Sequence, residues 1–354
     1  MAPRAILAAL VATLSALASA CDAPAEAATS PGPSRAQQGA SQVATTERAT
    51  LLAAPASAPE LVPGAPSRPV RLGFVGDVAL ALGVASSLDD PDAPPAYPFQ
   101  HVAERLRSYD LLVGNLECVV ATQGQPRVPI PLTAPPSAPS RLLDAGFDLV
   151  SVANNHSLDR GPVAYRETLA RLDAAGLAHV GHTYVDFDRE PWVVRELGGL
   201  RLAIVGHHNR DPALATRDVQ RARSEADVVI VFIHWGEEFT PEPTREQRRM
   251  GRQLVEAGAH AVVGAHAHVV QPVEEHLGRP IVHGLGNFVF AGMTRRGSRT
   301  GALLELDVDS TGVVARRFVE VAIDEQGTPR LVGEPTVDPP LVAGLATPPR
   351  TRSD

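Results

Sequence analysis

The pattern of apolar and polar positions predicts a chain in which strands and helices alternate. Apolar runs of strand length, several of them rich in β-branched residues, lie at residues 70–75, 109–113, 148–153, 227–233 and 261–264. Segments with helical periodicity separate them, at residues 99–108, 138–145, 162–175 and 244–257. The last helix opens with Thr244 and Gln247, which have the spacing of a capping box. With three later runs that alternate as antiparallel strands do, at 281–285, 302–309 and 313–323, this order predicts an α/β fold.

Five of the predicted strands end in side chains that bind metals. The residues at these ends are Asp77, Glu117, the Asn154-Asn155-His156 run, His234, and the His266-Ala267-His268 run. Each has an ordinary explanation when taken singly, since Gly-Asp and Asn-Asn pairs are common in turns. In open α/β sheets, however, ligands bind at the carboxyl ends of the strands. We therefore expect the five ends to converge on one rim.

The residue types at these ends suit a divalent cation. Carboxylates neutralise its charge, and imidazole nitrogen suits zinc, manganese, iron or nickel. Asparagine adds a neutral oxygen ligand. A carboxylate commonly orients an imidazole from behind, and Asp159, three residues after His156, is a candidate for that role. Two neighbouring cations can activate water and stabilise both oxygens of an in-line displacement.

The amino-acid composition excludes several catalytic mechanisms and one class of partner. All 32 basic residues are arginines, so a Schiff-base lysine and a phosphate-binding loop ending in Lys-Ser/Thr are both excluded. The 40 acidic residues give a net charge of −8, which argues against a nucleic-acid partner. If Cys21 is lipidated or cleaved free, Cys118 is the only thiol of the folded region. We therefore expect no internal disulfide there.

The two ends of the chain differ from the middle. Residues 1–20 have the charge, apolar run and small-residue site of an export signal. Two outcomes at Cys21 stay open, namely lipidation as in a lipoprotein and simple cleavage after Ala20. Residues 21–69 are predicted to be a disordered linker and residues 326–354 a flexible tail, which leaves a folded region at 70–325. These features predict an exported protein of the cell envelope, either periplasmic or anchored to the membrane only by an N-terminal lipid.

Six motifs in order carry a resemblance to a known family. They are Gly76-Asp77, Asn115-Leu116-Glu117, Ala153-Asn154-Asn155-His156-Ser157-Leu158-Asp159-Arg160-Gly161, His234-Trp235-Gly236, Gly264-Ala265-His266-Ala267-His268-Val269-Val270-Gln271, and Leu285-Gly286-Asn287-Phe288-Val289-Phe290. Residues 70–310 thereby resemble the CapA family of poly-gamma-glutamate capsule synthesis proteins. That family is a branch of the calcineurin-like metallophosphoesterase superfamily.

The resemblance implies a four-layer α/β/β/α sandwich of the metallo-dependent phosphatase type, with one or two divalent metal ions. By motif, Asp77 and His268 would hold the first metal and Glu117 would bridge the two. Asn155, His234 and His266 would hold the second. The roles that follow for the other residues are catalytic: His156 would act as a general acid or phosphate-binding group, with Asp159 beside it.

The chain also departs from the superfamily pattern. The first superfamily motif is usually Asp-x-His, but Ala79 stands at the position of that histidine, so the first metal position would lack an imidazole. Several other polar residues have no assigned motif. Arg295, Arg296 and Arg299 are candidates for binding a polyanionic substrate, and a solvated loop explains them equally well. His207-His208 is interpreted as a loop pair, and Trp235 as a packing residue.

Two functions of different classes follow from the resemblance. The first is an exported metal-dependent hydrolase that acts on an anionic envelope polymer or a phosphoester. The second is a non-catalytic accessory protein that works with capsule synthesis or export proteins; the missing histidine at position 79 favours it.

Overall fold

The computed structural model describes residues 68–341, apart from residues 91, 95, 187 and 209–210. The predicted export signal, Cys21, nearly all of the 21–69 linker and the last thirteen residues of the tail lie outside the described residues. Within the described part of the chain, no helix combines the length and hydrophobicity needed to cross a membrane.

Strands and helices alternate through the first two thirds of the described chain, and strands alone form the last part. The strands are β1 (Val70–Val78), β2 (Leu111–Leu116), β3 (Val119–Val120), β4 (Thr133–Ala134), β5 (Leu149–Ser151), β6 (Ala178–Val180), β7 (Trp192–Leu197), β8 (Leu200–His208), β9 (Val228–His234), β10 (Ala261–Ala265), β11 (Val273–His276), β12 (Arg279–Val282), β13 (Asn287–Val289), β14 (Thr300–Asp309), β15 (Gly312–Ile323) and β16 (Pro329–Thr336). The helices are α1 (Ala85–Leu88), α2 (Ala103–Leu106), α3 (Ala138–Ala145), α4 (Gly161–Ala175), α5 (Pro212–Glu225) and α6 (Arg245–Glu256).

Most of these strands form two sheets, each parallel in part. The first has the order β16-β15-β14-β1-β2-β5-β6, with β13 also paired to β1. Its β1, β2, β5 and β6 are parallel, and its β14 to β16 are antiparallel. The second has the order β11-β12-β10-β9-β8-β7, with β8, β9, β10 and β12 parallel. Sequence-consecutive parallel strands joined by helices give this arrangement.

The sheets pack face to face, and helices cover their outer faces. Between the sheets, Phe74 of β1 meets Phe232 of β9 with ring centroids 5.9 Å apart, within a cluster drawn from both sheets. Leu142 of α3 and Leu172 of α4 pack on the outside of the first sheet, and α5 and α6 pack on the outside of the second. Strands buried on both faces read as continuous apolar runs. The predicted four-layer α/β/β/α sandwich is confirmed.

Several predicted elements have the expected form. Helix α6 begins after Thr244, whose side chain accepts a hydrogen bond from the Gln247 backbone N–H at 3.1 Å. The Gln247 side chain accepts one in return from the Thr244 backbone N–H at 2.9 Å, which completes the capping box. The helix predicted at 99–108 is shorter, because α2 spans only Ala103–Leu106 and turns precede it.

Part of the segment 326–354, which was predicted to be a flexible tail, forms a strand. Pro329–Thr336 forms β16, which pairs antiparallel with β15 at the edge of the first sheet. Only the start of this strand is buried, where Pro329 is inside and Leu331 packs partly on the core. Main-chain hydrogen bonds rather than an apolar face hold such an edge strand. Its proline- and glycine-containing sequence therefore carries little strand signal.

The strands next to the site pack so closely that an added methyl group should destabilise the protein. A Cβ at Gly264 of β10 would lie 2.0 Å from the His283 carbonyl oxygen and 2.5 Å from the Trp235 indole nitrogen. We expect Gly264→Ala to lower the free energy of unfolding by about 3 kcal/mol, since backbone must move to admit the methyl. Chemical denaturation would measure it.

The control for this substitution is Gly83→Ala, whose Cβ would meet nothing closer than the Ala291 methyl at 3.2 Å. We expect a loss below about 1 kcal/mol there. Equal losses for both variants would contradict the packing argument.

Candidate metal centre

The predicted strand ends meet at one rim, between the carboxyl edges of the two sheets. Asp77 is the penultimate residue of β1 and lies in register with Asn115 of β2, and Glu117 follows β2 directly. On the other sheet, His234 ends β9 in register with Ala265 of β10. The first sheet therefore supplies both carboxylates together with Asn155 and His156, and the second supplies His234, His266 and His268.

Glu117 is fully buried, and neither of its carboxylate oxygens has a hydrogen-bond partner among the described residues. Its Oε1 lies 3.5 Å from His234 Nε2, 3.9 Å from His268 Nε2 and 4.0 Å from His156 Nε2. Burial raises the pKa of Glu117, and the neighbouring Asp77 carboxylate raises it further. An ionised carboxylate without partners is costly to bury, so this position requires a proton or a cation.

Two groups of potential ligands share Glu117. In the first, ligand atoms of Asp77, Glu117 and His268 lie within 4.8 Å of one another. In the second, the same holds for Glu117, His234 and His266. Carboxylate oxygen and imidazole nitrogen form a donor set for borderline divalent cations. The unpartnered oxygens of Glu117 and the unpartnered Nδ1 of His266 fit such a cation.

Asp77 and the asparagines hold the groups in place. Asp77 Oδ1 accepts a hydrogen bond from Asn115 Nδ2 at 2.8 Å, and its Oδ2 accepts one from the His266 backbone N–H at 3.1 Å. The Asn115 amide nitrogen also lies 3.1 Å from His234 Nδ1, and Asn155 Oδ1 lies 2.8 Å from His234 Nε2. His234 is thus held from both sides, and Asn155 is next to the second ligand group.

Burial favours neutral imidazoles at two of the three histidines. It lowers the pKa of His234 well below the usual value, and the nearby His266 lowers it further. Burial and His268 lower the pKa of His266 to about 4. Burial also acts to lower the pKa of His268, but the hydrogen bond and charge of Asp77 outweigh it and raise this pKa. Neutral imidazole is the form that binds metals.

Two of these ligands lie on strained backbone. His266 has φ +93° and His268 has φ +55°, whereas β10, which ends at Ala265 just before them, is extended. The left-handed region is unfavourable for side chains other than glycine. Because the chain turns at both positions, the two rings face the same space, with centroids 6.2 Å apart. Such strain clusters at functional sites.

His156 lies at the open side of the site, and Asp159 fixes its ring. Asp159 Oδ2 is 2.8 Å from His156 Nδ1 and also accepts a hydrogen bond from the Leu132 backbone N–H at 2.7 Å. Asp159 is buried, but His156 is partly exposed. His156 Nε2 therefore points towards Glu117 and can reach a bound molecule.

The three candidate arginines differ in position, although all are exposed. The Arg295 guanidinium lies over the Phe239 ring at 5.5 Å, and that ring is 5.5 Å from the His268 ring. Arg295 is therefore separated from a predicted ligand by one aromatic ring. Arg299 instead approaches Glu325 at 3.6 Å. The contact with Phe239 thus places Arg295 beside the candidate site.

The interpretation of His207-His208 as a loop pair is wrong, because both residues belong to β8. His207 faces α5, where its Nε2 is 3.2 Å from Asp218 Oδ2. His208 faces the opposite way, and its ring lies 5.6 Å from that of His234. The chain does not leave the sheet at Gly206, since β8 stays paired with β9 for two residues more. Trp235 is buried and packs as expected, and its indole N–H donates to the His283 carbonyl.

Three polar residues at the site, Asn115, Asn287 and Glu238, were given no role by the sequence interpretation, and Asn154 was expected only as part of a strand end. Asn115 donates a hydrogen bond to Asp77, and Asn154 Nδ2 donates one to Asn115 Oδ1 at 3.0 Å. The two amides therefore connect Asp77 with the loop that follows β5. Asn287 Oδ1 lies 2.9 Å from His268 Nδ1, and Glu238 acts electrostatically on the ligands. Asn115, Asn154 and Asn287 all belong to the six family motifs. Their place in those motifs was the sequence signal that could have identified them as residues of the site.

The strain at His266 predicts opposite effects of glycine at two ligand positions. In metal-free protein, we expect His266→Gly to be more stable than His266→Ala by about 1 kcal/mol, since glycine tolerates φ +93°. At His234, within a strand, we expect alanine to be the more stable by about 0.5–1 kcal/mol. Urea unfolding with a chelator present would measure both. Alanine being better at both positions would contradict strain at His266.

Comparisons with known proteins agree with the motifs. A model of the family described as bacterial capsule synthesis protein PGA_cap matches residues 71–292. The PGA biosynthesis protein CapA of Bacillus subtilis (strain 168) is 30% identical over 279 residues, which cover 72% of this chain and 72% of the relative. The capsule biosynthesis protein CapA of Bacillus anthracis is 28% identical over 290 residues, covering 74% of this chain and 69% of the relative.

Two solved structures are also similar. A hypothetical protein from Thermus thermophilus has a TM-score of 0.44 and 20% identity, covering 77% of this chain and all (100%) of that one. The NAD nucleotidase NadN of Haemophilus influenzae has a TM-score of 0.41 and 10% identity, covering 75% of this chain and 60% of that one. The family model and the two CapA relatives confirm the resemblance seen in the motifs, and the chain belongs to the bacterial capsule synthesis protein family PGA_cap.

Proposed function

We propose that this protein is an exported, metal-dependent hydrolase of the cell envelope that acts on an anionic capsule polymer or a phosphoester. The observation that carries the proposal is the buried Glu117 carboxylate, whose two unpartnered oxygens lie between two groups of potential ligands. Membership of a capsule synthesis family supports an envelope polymer as the substrate. The signal-like residues 1–20 support export.

The residues divide between holding cations and acting on the substrate. Asp77, Glu117 and His268 would hold one divalent cation, and Glu117, His234, His266 and the nearby Asn155 would hold another. A cation held there supplies a Lewis acid that lowers the pKa of water and stabilises developing negative charge. The mixed oxygen and nitrogen donors suit manganese, iron, zinc or nickel.

The His156–Asp159 pair would handle the proton. With Nδ1 held by Asp159, His156 presents Nε2 to the site, where it can donate a proton to a leaving group or bind a substrate oxygen. Because Asp159 also accepts from the Leu132 backbone, the ring orientation is fixed before substrate binds. Asp159 would be the residue that positions His156.

The entrance of the site would recognise the anion. Arg295 is exposed, lies over Phe239 and has a fork of donors that matches carboxylate or phosphate. We propose that it contacts the polymer beside the metal centre. Arg296 and Arg299 remain candidates for the same polyanion, although Arg299 would have to leave Glu325.

Removing a histidine ligand would test the metal-dependent function. We expect His234→Ala and His266→Ala to lose most bound manganese or zinc, measured by elemental analysis after dialysis. Turnover of a phosphodiester or gamma-glutamyl substrate should fall by at least about 100-fold, as for loss of a catalytic cation.

The matched control is His276→Ala, since His276 lies on β11 and pairs with Glu256 at 2.9 Å. It should keep the cation content and the turnover of the unaltered protein. If the two ligand variants also keep both, the metal-dependent function is refuted.

A non-catalytic accessory role is the second candidate, and Ala79 favours it. Ala79 is buried in the apolar core beside β13, where its N–H donates to the Val289 carbonyl. It therefore leaves the first ligand group without a second imidazole. Such a protein would bind polymer or capsule export proteins, and its metal centre would have a structural role or none.

Complementation separates the two functions. In a deletion strain, we expect Glu117→Gln to fail to restore capsule polymer, because it removes the shared carboxylate while keeping the side-chain shape. Polymer yield should fall at least about tenfold relative to the unaltered gene, at equal protein level by immunoblot. Full rescue would favour the accessory role. His276→Ala again serves as the control that should rescue.

A further inference from the structure

The ends of three neighbouring strands of the second sheet carry a row of four imidazoles. Strand β9 lies between β8 and β10 in that sheet. The His234 ring centroid lies 5.6 Å from that of His208 on β8 and 4.4 Å from that of His266, which follows β10. His268 extends the row on the β10 side, with its centroid 6.2 Å from that of His266. His208 and His268 therefore occupy opposite ends of the row.

The backbone of β8 holds His208 beside His234. The two residues are register partners in the parallel pair of β8 and β9, so their side chains leave the sheet on the same face. The preceding residue, His207, points to the opposite face, where its Nε2 lies 3.2 Å from Asp218 Oδ2 of α5. Because His207 is fixed on the helix side, His208 is directed to the side of the potential ligands.

The end of β8 is also held by a close approach of the first sheet. A Cβ at Gly206 would lie 2.7 Å from the Gly181 backbone nitrogen, so a side chain at position 206 would prevent this approach. The backbone N–H groups of Gly206 and Gly181 both donate to the Pro191 carbonyl, at 2.8 Å and 3.0 Å. His208 therefore lies on a strand end that is already in place before a molecule binds, as a binding residue requires.

The second ligand group is the one that a molecule from solution can reach. The first group is entirely buried, whereas the second includes the partly exposed His266. Asn155 and His156, which lie beside the second group, are partly exposed too, and so is His208. His208 itself belongs to neither group. It is thus an imidazole at the open side of the centre, outside both sets of potential ligands.

We propose that His208 is a substrate-binding residue, which donates a hydrogen bond to an anionic oxygen of a substrate bound at the second ligand group. An imidazole N–H can donate to a phosphate oxygen or to a carboxylate oxygen. A substrate that extends across the centre would meet His208 at one end of the row and Arg295 at the other, where Phe239 separates Arg295 from His268. The inference rests on the proposed function and adds a residue outside the six motifs.

Binding of two small anions to the manganese-loaded protein tests this inference. Inorganic phosphate represents a phosphoester and gamma-glutamylglutamate represents the polymer, so the anion that binds more tightly distinguishes the two sources. For that anion, we expect His208→Ala to raise the dissociation constant at least about tenfold in titration calorimetry, through loss of a hydrogen bond to a charged group. His208→Gln keeps an amide donor and should raise the constant less than about threefold. Both variants should keep the manganese content of the unaltered protein.

The matched control is again His276→Ala, because His276 pairs with Glu256 outside the site. It should keep the anion affinity within about twofold. If His208→Ala also stays within about twofold, the inference is overturned and the proposed metal centre stands. An equal loss of affinity in His208→Gln and His208→Ala would overturn it too, since the donor would then have no part.

Manganese content separates the remaining outcomes. If His208→Ala loses manganese as His234→Ala is expected to, then His208 is a metal ligand and the inference is wrong. It is also wrong if the unaltered, manganese-loaded protein binds neither anion. If the unaltered protein binds neither manganese nor zinc, the proposed function itself fails.

Discussion

A carboxylate that has lost its water must find an opposite charge, and at Glu117 the fold has brought together three imidazoles rather than an arginine. The residue is fully buried and its oxygens have no donors among the described residues. In the metal-free protein this arrangement opposes folding, so the surrounding structure must offset it. The apolar cluster between the two sheets and the helices outside them supply that stability.

The fold could be predicted from the sequence wherever one local signal determined an element. Strand β9 is buried on both faces, and its sequence is a continuous apolar run that predicts a strand. The start of α6 could be predicted from the capping-box residues Thr244 and Gln247. Prediction failed where pairing partners decide the outcome. The edge strand β16 has few apolar residues, and β8 runs past Gly206 because β9 continues beside it.

The candidate site could also be predicted from the sequence only in part. Strand ends that carry Asp77, Glu117 and His234 could be predicted to converge, because parallel strands bring their carboxyl ends to one edge. The hydrogen-bonding amide of Asn115 could not, since an asparagine beside a turn has many ordinary explanations. The contact of Phe239 with His268 could not be predicted for a different reason, because it depends on a turn at Phe239 that no sequence pattern indicates.

The potential ligands come from both sheets, and this affects the order in which the protein folds and binds a cation. Asp77 and Glu117 come from the early part of the chain, and His234 and His266 come more than a hundred residues later. Neither half contains a complete ligand group. A cation can therefore be loaded only after both sheets have closed on each other.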